Sequence, residues 1–264
     1  CRALELLEIP PEERVRELRA DLRLDDEELV RWDAVSRRMR IAFHDDGIIS
    51  QFEGYEALAE FDWDGYRRKY GDIHRLDRLL EAEGDSANRY KASKQADVLM
   101  LFYLFSSEEL KDIFERLGYP FEYETIPRNV DYYSRRTSHG STLSRVVHSW
   151  VTSRGDRPRS WQLFQEALES DIADIQGGTT PEGIHLGAMA GTVDLLQRGY
   201  TGIVTRGDVL WLNPCLPAEL RRVTMVIRYR GHALDLAVTQ SIVTVHAHAS
   251  NATPIQLEIG RAHV

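Results

Sequence analysis

The chain has 264 residues, 42% of them hydrophobic, and a formal net charge of −9 at pH 7. This size supports one large domain or two smaller ones, and the negative charge argues against nucleic acid or an anionic membrane as the main partner. Two cysteines, Cys1 and Cys215, are too few for a disulfide framework, and no apolar run reaches the roughly 20 residues of a membrane span. The composition predicts a cytoplasmic protein that needs no metal or other cofactor.

The first half of the sequence has the apolar spacing of helices. It opens inside an amphipathic pattern without an initiator methionine, so we expect a fragment of a longer polypeptide whose N-terminal half is missing. Amphipathic helices are predicted near residues 12–22, 25–39 and 74–83. Between them lies Gln51-Phe-Glu-Gly-Tyr55, in which polar and aromatic residues alternate.

Residues 93–105 form the most apolar segment of the chain, and we predict a buried helix there. Three polar residues, Lys94, Gln95 and Asp97, stand at its beginning. Polar groups at the mouth of a buried helix favour a binding pocket. The alternative is that Ser93 caps the helix, Asp97 is an early-turn acid and Lys94 is solvated.

Two helix starts follow. Ser106 and Glu109 form a capping-box pattern that predicts a helix ending at Gly118. Residues 137–144 are dense in hydroxyls and contain His139 and Gly140. Free N–H groups and hydroxyls at a helix start are typical of an anion site, whereas ordinary capping by Ser141 is the simpler explanation.

A helix is predicted over residues 156–175. Residues 179–199, which follow it, are the most informative segment of the chain. Thr180 as cap and Pro181 in the first turn predict a single helix, with Gly183, Gly187 and Gly191 leaving one side nearly bare. Each glycine costs a helix roughly 1 kcal/mol relative to alanine. Either another backbone packs closely there, or a polar ligand binds the first turn beside His185, and both explanations stay open.

After Gly199 the apolar period changes to two, which predicts a small antiparallel β-sandwich. Six strands are expected near residues 201–205, 208–212, 221–229, 233–239, 241–247 and 254–259. His246 and His248 alternate on one strand face. Two histidines at this spacing can bind a metal ion, but the sequence supplies no third ligand nearby, so we predict solvated histidines and no metal site.

These segments together resemble the disaccharide phosphorylases of glycoside hydrolase family 65, which include trehalose, maltose and kojibiose phosphorylases. The resemblance rests on KQADVLMLFYLF, RRTSHGSTLS, PEGIHLGAMAGTVDLLQRGY, GDVLWLNPCLP, QFEGY and the Asp62-Trp63…Tyr66 pattern. It implies a mostly α fold with a C-terminal β domain. Residues 1–199 would be the later hairpins of an (α/α)6 barrel, and residues 200–264 a small β-sandwich.

The resemblance also implies a reaction. A disaccharide and inorganic phosphate would give β-glucose 1-phosphate and a free sugar, with inversion, phosphate replacing the water and base carboxylate of an inverting hydrolase. Ser141, Thr142 and His185 match the family's phosphate-binding positions, and Lys94 and Gln95 match a pair that binds the transferred glucosyl unit. Glu53 in QFEGY is a weaker candidate for the sugar pocket.

The family's general acid, a glutamate, is expected upstream of residue 1, so no catalytic residue is assigned and this chain alone is expected to be inactive. The expected partners are a disaccharide, phosphate, the missing N-terminal half and a second copy in a homodimer. Two other functions remain open: a hydrolase of the acid-trehalase kind, and a non-catalytic saccharide-binding or scaffold module.

Overall fold

The computed structural model describes residues 11–260, except residues 46, 179 and 207. The helices are α1 (Glu12–Leu22), α2 (Asp26–Ser36), α3 (Trp63–Tyr70), α4 (Leu76–Ala82), α5 (Val98–Leu104), α6 (Ser107–Leu117), α7 (Thr125–Ser134), α8 (Thr142–Thr152), α9 (Arg157–Glu169) and α10 (Leu186–Asp194). Short 3₁₀ turns cover Tyr55–Ala57, Ala87–Arg89 and Thr180–Glu182, and a π-helix, Leu195–Tyr200, continues α10. Within the described ranges, every helix is too short or too polar to cross a bilayer.

The strands are β1 (Phe43–His44), β2 (Ile48–Ile49), β3 (Val204–Arg206), β4 (Val209–Leu212), β5 (Arg222–Tyr229), β6 (His232–Thr239), β7 (Val243–Ala247) and β8 (Gln256–Ile259). Strands β1 and β2 form a short hairpin within the helical part. The later strands form two three-stranded sheets, ordered β3-β4-β8 and β5-β6-β7. Apart from this hairpin, the described elements before Thr201 are helices and those after it are strands, as the change of apolar period indicated.

The two C-terminal sheets share one core. Leu210 and Leu212 of β4 are buried with Leu234 and Leu236 of β6, so inward-facing residues at period two join the sheets as in a sandwich. The expectation of purely antiparallel strands was wrong for one pair, because β4 and β8 run parallel. The parallel pairing is reached by a long connection through β5, β6 and β7, which alternation alone does not reveal.

Helix α8 lies at the centre of the helical part, packed against α5, α9 and α10. Seven of its residues are buried, so it contributes to two cores. Val147 faces a cluster with Leu99, Phe102 and Phe114. Val146 faces a second cluster with Phe164, Leu195 and Tyr200, and this one reaches Val238 of β6, so the sandwich and the helices are packed together through it.

Two helices differ from the sequence expectation. Helix α5 begins at Val98 and is only partly buried: Val98, Leu99 and Phe102 are buried, whereas Leu104 is 59% exposed and Phe105, just after the helix, is 38% exposed. Helix α9 ends at Glu169, six residues before the predicted end, and the chain then turns through Asp174, which has a positive φ.

The segment predicted as one helix from Thr180 is also divided. Pro181 lies in a 3₁₀ turn, Gly183 adopts φ +98°, and α10 begins only after His185. Left-handed backbone of this kind favours glycine and interrupts a helix. Close packing explains one further glycine: a Cβ on Gly191 would lie 2.6 Å from Cγ1 of Val146.

Candidate functional site

Two loops that are distant in sequence, one around Ser93 and the other around Thr137, lie side by side at one end of α8. Ser93 forms a parallel bridge with Thr137; its N–H donates to the Arg136 carbonyl at 2.8 Å, and its carbonyl accepts from the Ser138 N–H at 2.8 Å. The Gln51 side chain fixes the first loop from behind, donating to Ser93 Oγ at 2.5 Å and accepting from the Asp97 N–H at 2.9 Å. This pairing carries the residues after Ser93 to the start of α8.

A cavity of about 180 Å³ opens at that point. Its lining residues are Arg75, Lys94, Gly140, Ser141, Thr142, Gln176 and His185. Pockets for drug-sized ligands measure about 300–1,000 Å³, so the space suits a small ion better than a disaccharide. Lys94, Ser141, Thr142 and His185 thus line one cavity, although 91 residues separate the first from the last.

The first turn of α8 faces this cavity. Ser141 stands at the N-cap position without a side-chain capping bond. Its Oγ donates instead to Oε1 of Gln95 at 3.0 Å, so ordinary capping by Ser141 is excluded. The first N–H groups of a helix lack intrahelical partners and carry the positive end of its dipole. A helix start of this kind is suited to holding an anion.

His185 is fixed by Asp171, a residue that the sequence analysis did not select. The carboxylate accepts from the His185 N–H at 2.8 Å and contacts Nδ1 at 2.6 Å. The Asp171 side chain is only 6% exposed. With its Nδ1 proton directed to a carboxylate, a neutral imidazole presents Nε2 as an acceptor, and a protonated one donates from both nitrogens.

Arg145 follows the cavity residues Ser141 and Thr142 in the first turns of α8 and is fully buried. Its guanidinium donates to Oε2 of Glu166 at 2.9 Å and to the His139 carbonyl at 3.0 Å, and it contacts Nε2 of His74 at 3.1 Å. The guanidinium presents five N–H donors in a fixed planar fork and can hold these partners in different directions at once. Arg145 therefore joins α8 to α9, to the loop before α8 and to the loop before α4.

Two more histidines lie next to this network. The rings of His139 and His148 meet edge to face, with centroids 4.6 Å apart. Burial, followed by the charge of Arg159, lowers the pKa of His148 to about 4. Burial, followed by His148 and Arg145, lowers the pKa of His139 well below its usual range. Both rings are therefore neutral at pH 7. Nδ1 of His139 lies 3.0 Å from Oγ of Ser144.

The cavity has cationic walls. Arg75 and Lys94 are both among its lining residues, and in the described ranges no Asp or Glu belongs to that set. Oδ1 of Asp77 lies 3.7 Å from Nε of Arg75. Glu53, the weaker sugar-pocket candidate, lies elsewhere: it is exposed and pairs with Arg40 at 2.9 Å.

Sequence reasoning missed Arg75, Gln176, Asp171 and Arg145. One signal for Arg145 was present, because a single arginine interrupts the apolar face of an amphipathic helix between Leu143 and Val147. Such a residue is rarely buried unless it is paired. Asp171 and Gln176 stand in the turn after α9, where no spacing links them to His185.

Two family models match the chain. The model of the glycosyl hydrolase family 65 central catalytic domain matches residues 2–194. The model of the C-terminal domain of the same family matches residues 203–264.

Several curated proteins are similar in sequence. An uncharacterized glycosyl hydrolase of Mycobacterium tuberculosis is 54% identical over all of this chain and 20% of its own length. Trehalose 6-phosphate phosphorylase of Lactococcus lactis is 35% identical over 84% of the chain and 29% of its own length. Kojibiose phosphorylase of Caldanaerobacter subterraneus is 29% identical over 84% of the chain and 27% of its own length. The chain thus spans between a fifth and a third of these relatives.

One solved structure, a putative kojibiose phosphorylase from human microbiome, has a similar fold. It superposes with a TM-score of 0.69 at 23% identity, covering 91% of this chain and 33% of that one.

Proposed function

Because the chain belongs to glycosyl hydrolase family 65, we propose that it is the later part of an inverting disaccharide phosphorylase. The enzyme would cleave an α-glucosyl disaccharide with inorganic phosphate, giving β-glucose 1-phosphate and a free sugar. Residues 1–199, with helices α1–α10, would belong to an (α/α)6 barrel, with the β-sandwich of residues 200–264 as a C-terminal domain. We further propose that the protein is cytoplasmic and pairs as a homodimer.

The observation that carries this proposal is the small cationic cavity at the start of α8. It combines backbone N–H groups of a helix start, the hydroxyls of Ser141 and Thr142, His185, and the charges of Lys94 and Arg75. Hydrogen bonds from charged donors to an anion are about twice as strong as neutral ones. A phosphate ion matches both the size and the charge of this space.

The chemistry assigned to the site is a single displacement. A phosphate oxygen attacks the anomeric carbon from the face opposite the leaving sugar, the glycosidic C–O bond breaks, and a carboxylic acid protonates the departing oxygen. The cavity would hold and orient the phosphate while its charge moves to the new bond. The proton donor is proposed to be a glutamate outside these 264 residues, so that the chain by itself would be inactive.

The two sets of predicted residues are connected by one contact. Ser141 and His185 are assigned to phosphate, and Lys94 and Gln95 to hydroxyls of the glucosyl unit. The bond from Ser141 Oγ to Gln95 Oε1 joins the two sets, so phosphate and sugar positions would be coupled. Reacting atoms must lie about 3–3.5 Å apart for efficient transfer, and a shared contact favours that alignment.

Two alternatives use other features. A hydrolase of the acid-trehalase kind would need a base carboxylate where phosphate sits, and the described lining residues are cationic and neutral instead. A non-catalytic saccharide-binding or scaffold module would explain the packed helices but gives no role to buried Asp171 behind His185.

The test is the phosphate dependence of turnover by the full-length protein. The substrates are trehalose, trehalose 6-phosphate, kojibiose, maltose and nigerose. We expect at least one of these disaccharides to be cleaved, and only when phosphate is present, with β-glucose 1-phosphate in the proton NMR spectrum at early times. Glucose release without phosphate would establish the hydrolase, and absence of both turnover and phosphate binding would establish the scaffold.

A further inference from the structure

Three side chains capable of binding a metal meet on the outer face of the β5-β6-β7 sheet. Asp235 of β6 pairs in register with His246 of β7, and the His248 N–H donates to the Ala233 carbonyl just beyond that pair. Leu234 and Leu236 point into the core, so Asp235 points outward with the histidines. The third ligand that the sequence did not supply thus comes from the adjacent strand.

The distances among these groups are short. Nε2 of His248 lies 2.9 Å from Oδ2 of Asp235, and Nδ1 of His246 lies 3.8 Å from the same oxygen. One donor atom from each residue lies within 4.8 Å of the other two. Zinc bonds of about 2.0–2.2 Å in tetrahedral geometry place donors about 3.3–3.6 Å apart, so small side-chain rotations would bring all three onto one ion.

We propose that Asp235, His246 and His248 bind a divalent zinc-class cation, with solvent completing its coordination. Two imidazoles and one carboxylate are ligands that zinc accepts, and three protein ligands leave one position for water. The ion would tie the chain after β7 to β6. It would lie on the C-terminal sandwich, apart from the cavity, and would take no part in the transfer reaction.

A direct His–Asp hydrogen bond is the other explanation for the 2.9 Å contact, but it leaves His246 without a role. The His246 and His248 rings stand almost perpendicular, with centroids 5.2 Å apart. The side chains are 69%, 50% and 47% exposed for His246, His248 and Asp235, so an ion can reach them without opening the fold. Arg228 of β5 shares this outer face and lies on the side of Asp235 away from β7.

The experiment measures zinc bound to the full-length protein after dialysis, together with calorimetric titration by Zn²⁺. The variants are Asp235→Asn, His246→Ala and His248→Gln. His232→Ala is the matched control, because it removes another imidazole of β6, a partly buried one that contacts Ser250 and Thr253. Circular dichroism verifies that each variant is folded.

We expect each of the three variants to bind one zinc fewer per chain, or to bind it more than about 10-fold more weakly. Loss of a residue that only hydrogen-bonds to a metal ligand already lowers metal affinity by about 10–100-fold. The His232→Ala protein should bind zinc like the wild type. Zinc should also raise the wild-type melting temperature, and not that of Asp235→Asn. Equal zinc content and affinity in the wild type and all three variants would overturn the proposal.

Discussion

Gly140 is the position where a single methyl group tests the candidate site most sharply. A Cβ added there would lie 2.4 Å from the backbone carbonyl oxygen of His74 and 3.0 Å from Cγ of Lys94. The lysine side chain can move, but the carbonyl belongs to the backbone next to Arg145. Gly140→Ala therefore has to separate the loop before α8 from the loop before α4.

The size of the separation follows from contact distances. Carbon-to-oxygen contacts lie at about 3.3–3.6 Å, so Gly140 and His74 would move apart by about 1 Å. A displacement of that size in a positioning element can lower catalysis about 100-fold, and overpacking costs about 1–3 kcal/mol in stability. We expect both slower catalysis and lower stability. Among the kinetic constants, the KM for phosphate should change most.

Gly155 provides a matched control. It lies in the connection between α8 and α9, its φ is not positive, and a Cβ there would meet nothing within 4 Å. Gly155→Ala should be neutral or stabilise the protein by about 0.4–1 kcal/mol. The assay combines chemical denaturation with steady-state kinetics at varied phosphate. If Gly140→Ala behaves like Gly155→Ala in both measurements, the close approach described here is wrong.

Three further predictions concern the surroundings of the cavity. Arg145→Met should lower the free energy of unfolding, measured by chemical denaturation, by about 3 kcal/mol. This is the lower end of the range for a broken buried ion pair, because Glu166 is 32% exposed. The control Arg159→Met, at an exposed arginine, should change it by less than about 0.5 kcal/mol. The pKa of His148 falls from 6.5 to about 4 on folding, so its contribution to stability is complete above pH 6.5 and is lost toward pH 4, at up to about 1.4 kcal/mol per pH unit. In chemical denaturation between these pH values, the free energy of unfolding should depend less steeply on pH in His148→Gln than in the wild type. An unchanged dependence would contradict the assignment. Lys94→Ala should lower turnover about 10- to 150-fold on every disaccharide cleaved, the loss of one charged hydrogen bond, in initial-rate assays; a loss confined to one disaccharide would place Lys94 at the acceptor sugar instead.

The fold was predictable from the sequence where periodicity and capping agree. The capping box at Ser106 and Glu109 forms as expected, and α6 ends at Gly118 in the left-handed region. The break in the segment after Thr180 was not predictable, because Pro181 and the following glycines suit a helix start and a 3₁₀ turn equally well. The parallel pairing of β4 with β8 depends on where a distant strand returns, which local alternation does not contain.

The candidate site was predictable only in the residues that belong to its motifs. Lys94, Ser141, Thr142 and His185 were selected from helix starts and the family resemblance, and all line the cavity. Gln176 lies in a connection without periodicity, and Arg75 stands at the start of a predicted helix with no signal that links it to the motifs. Tertiary packing alone brings both to the cavity wall. The contacts that orient the motif residues are likewise long-range, as between Asp171 and His185.

The central claim is that the cavity at the start of α8 binds the phosphate used in the reaction. The most direct measurement is the steady-state rate of full-length His185→Ala against phosphate concentration, at saturating disaccharide. Loss of one charged hydrogen bond, about 1.5–3 kcal/mol, predicts a phosphate KM raised by one to two decades. A phosphate dependence identical to that of the wild type would contradict the claim.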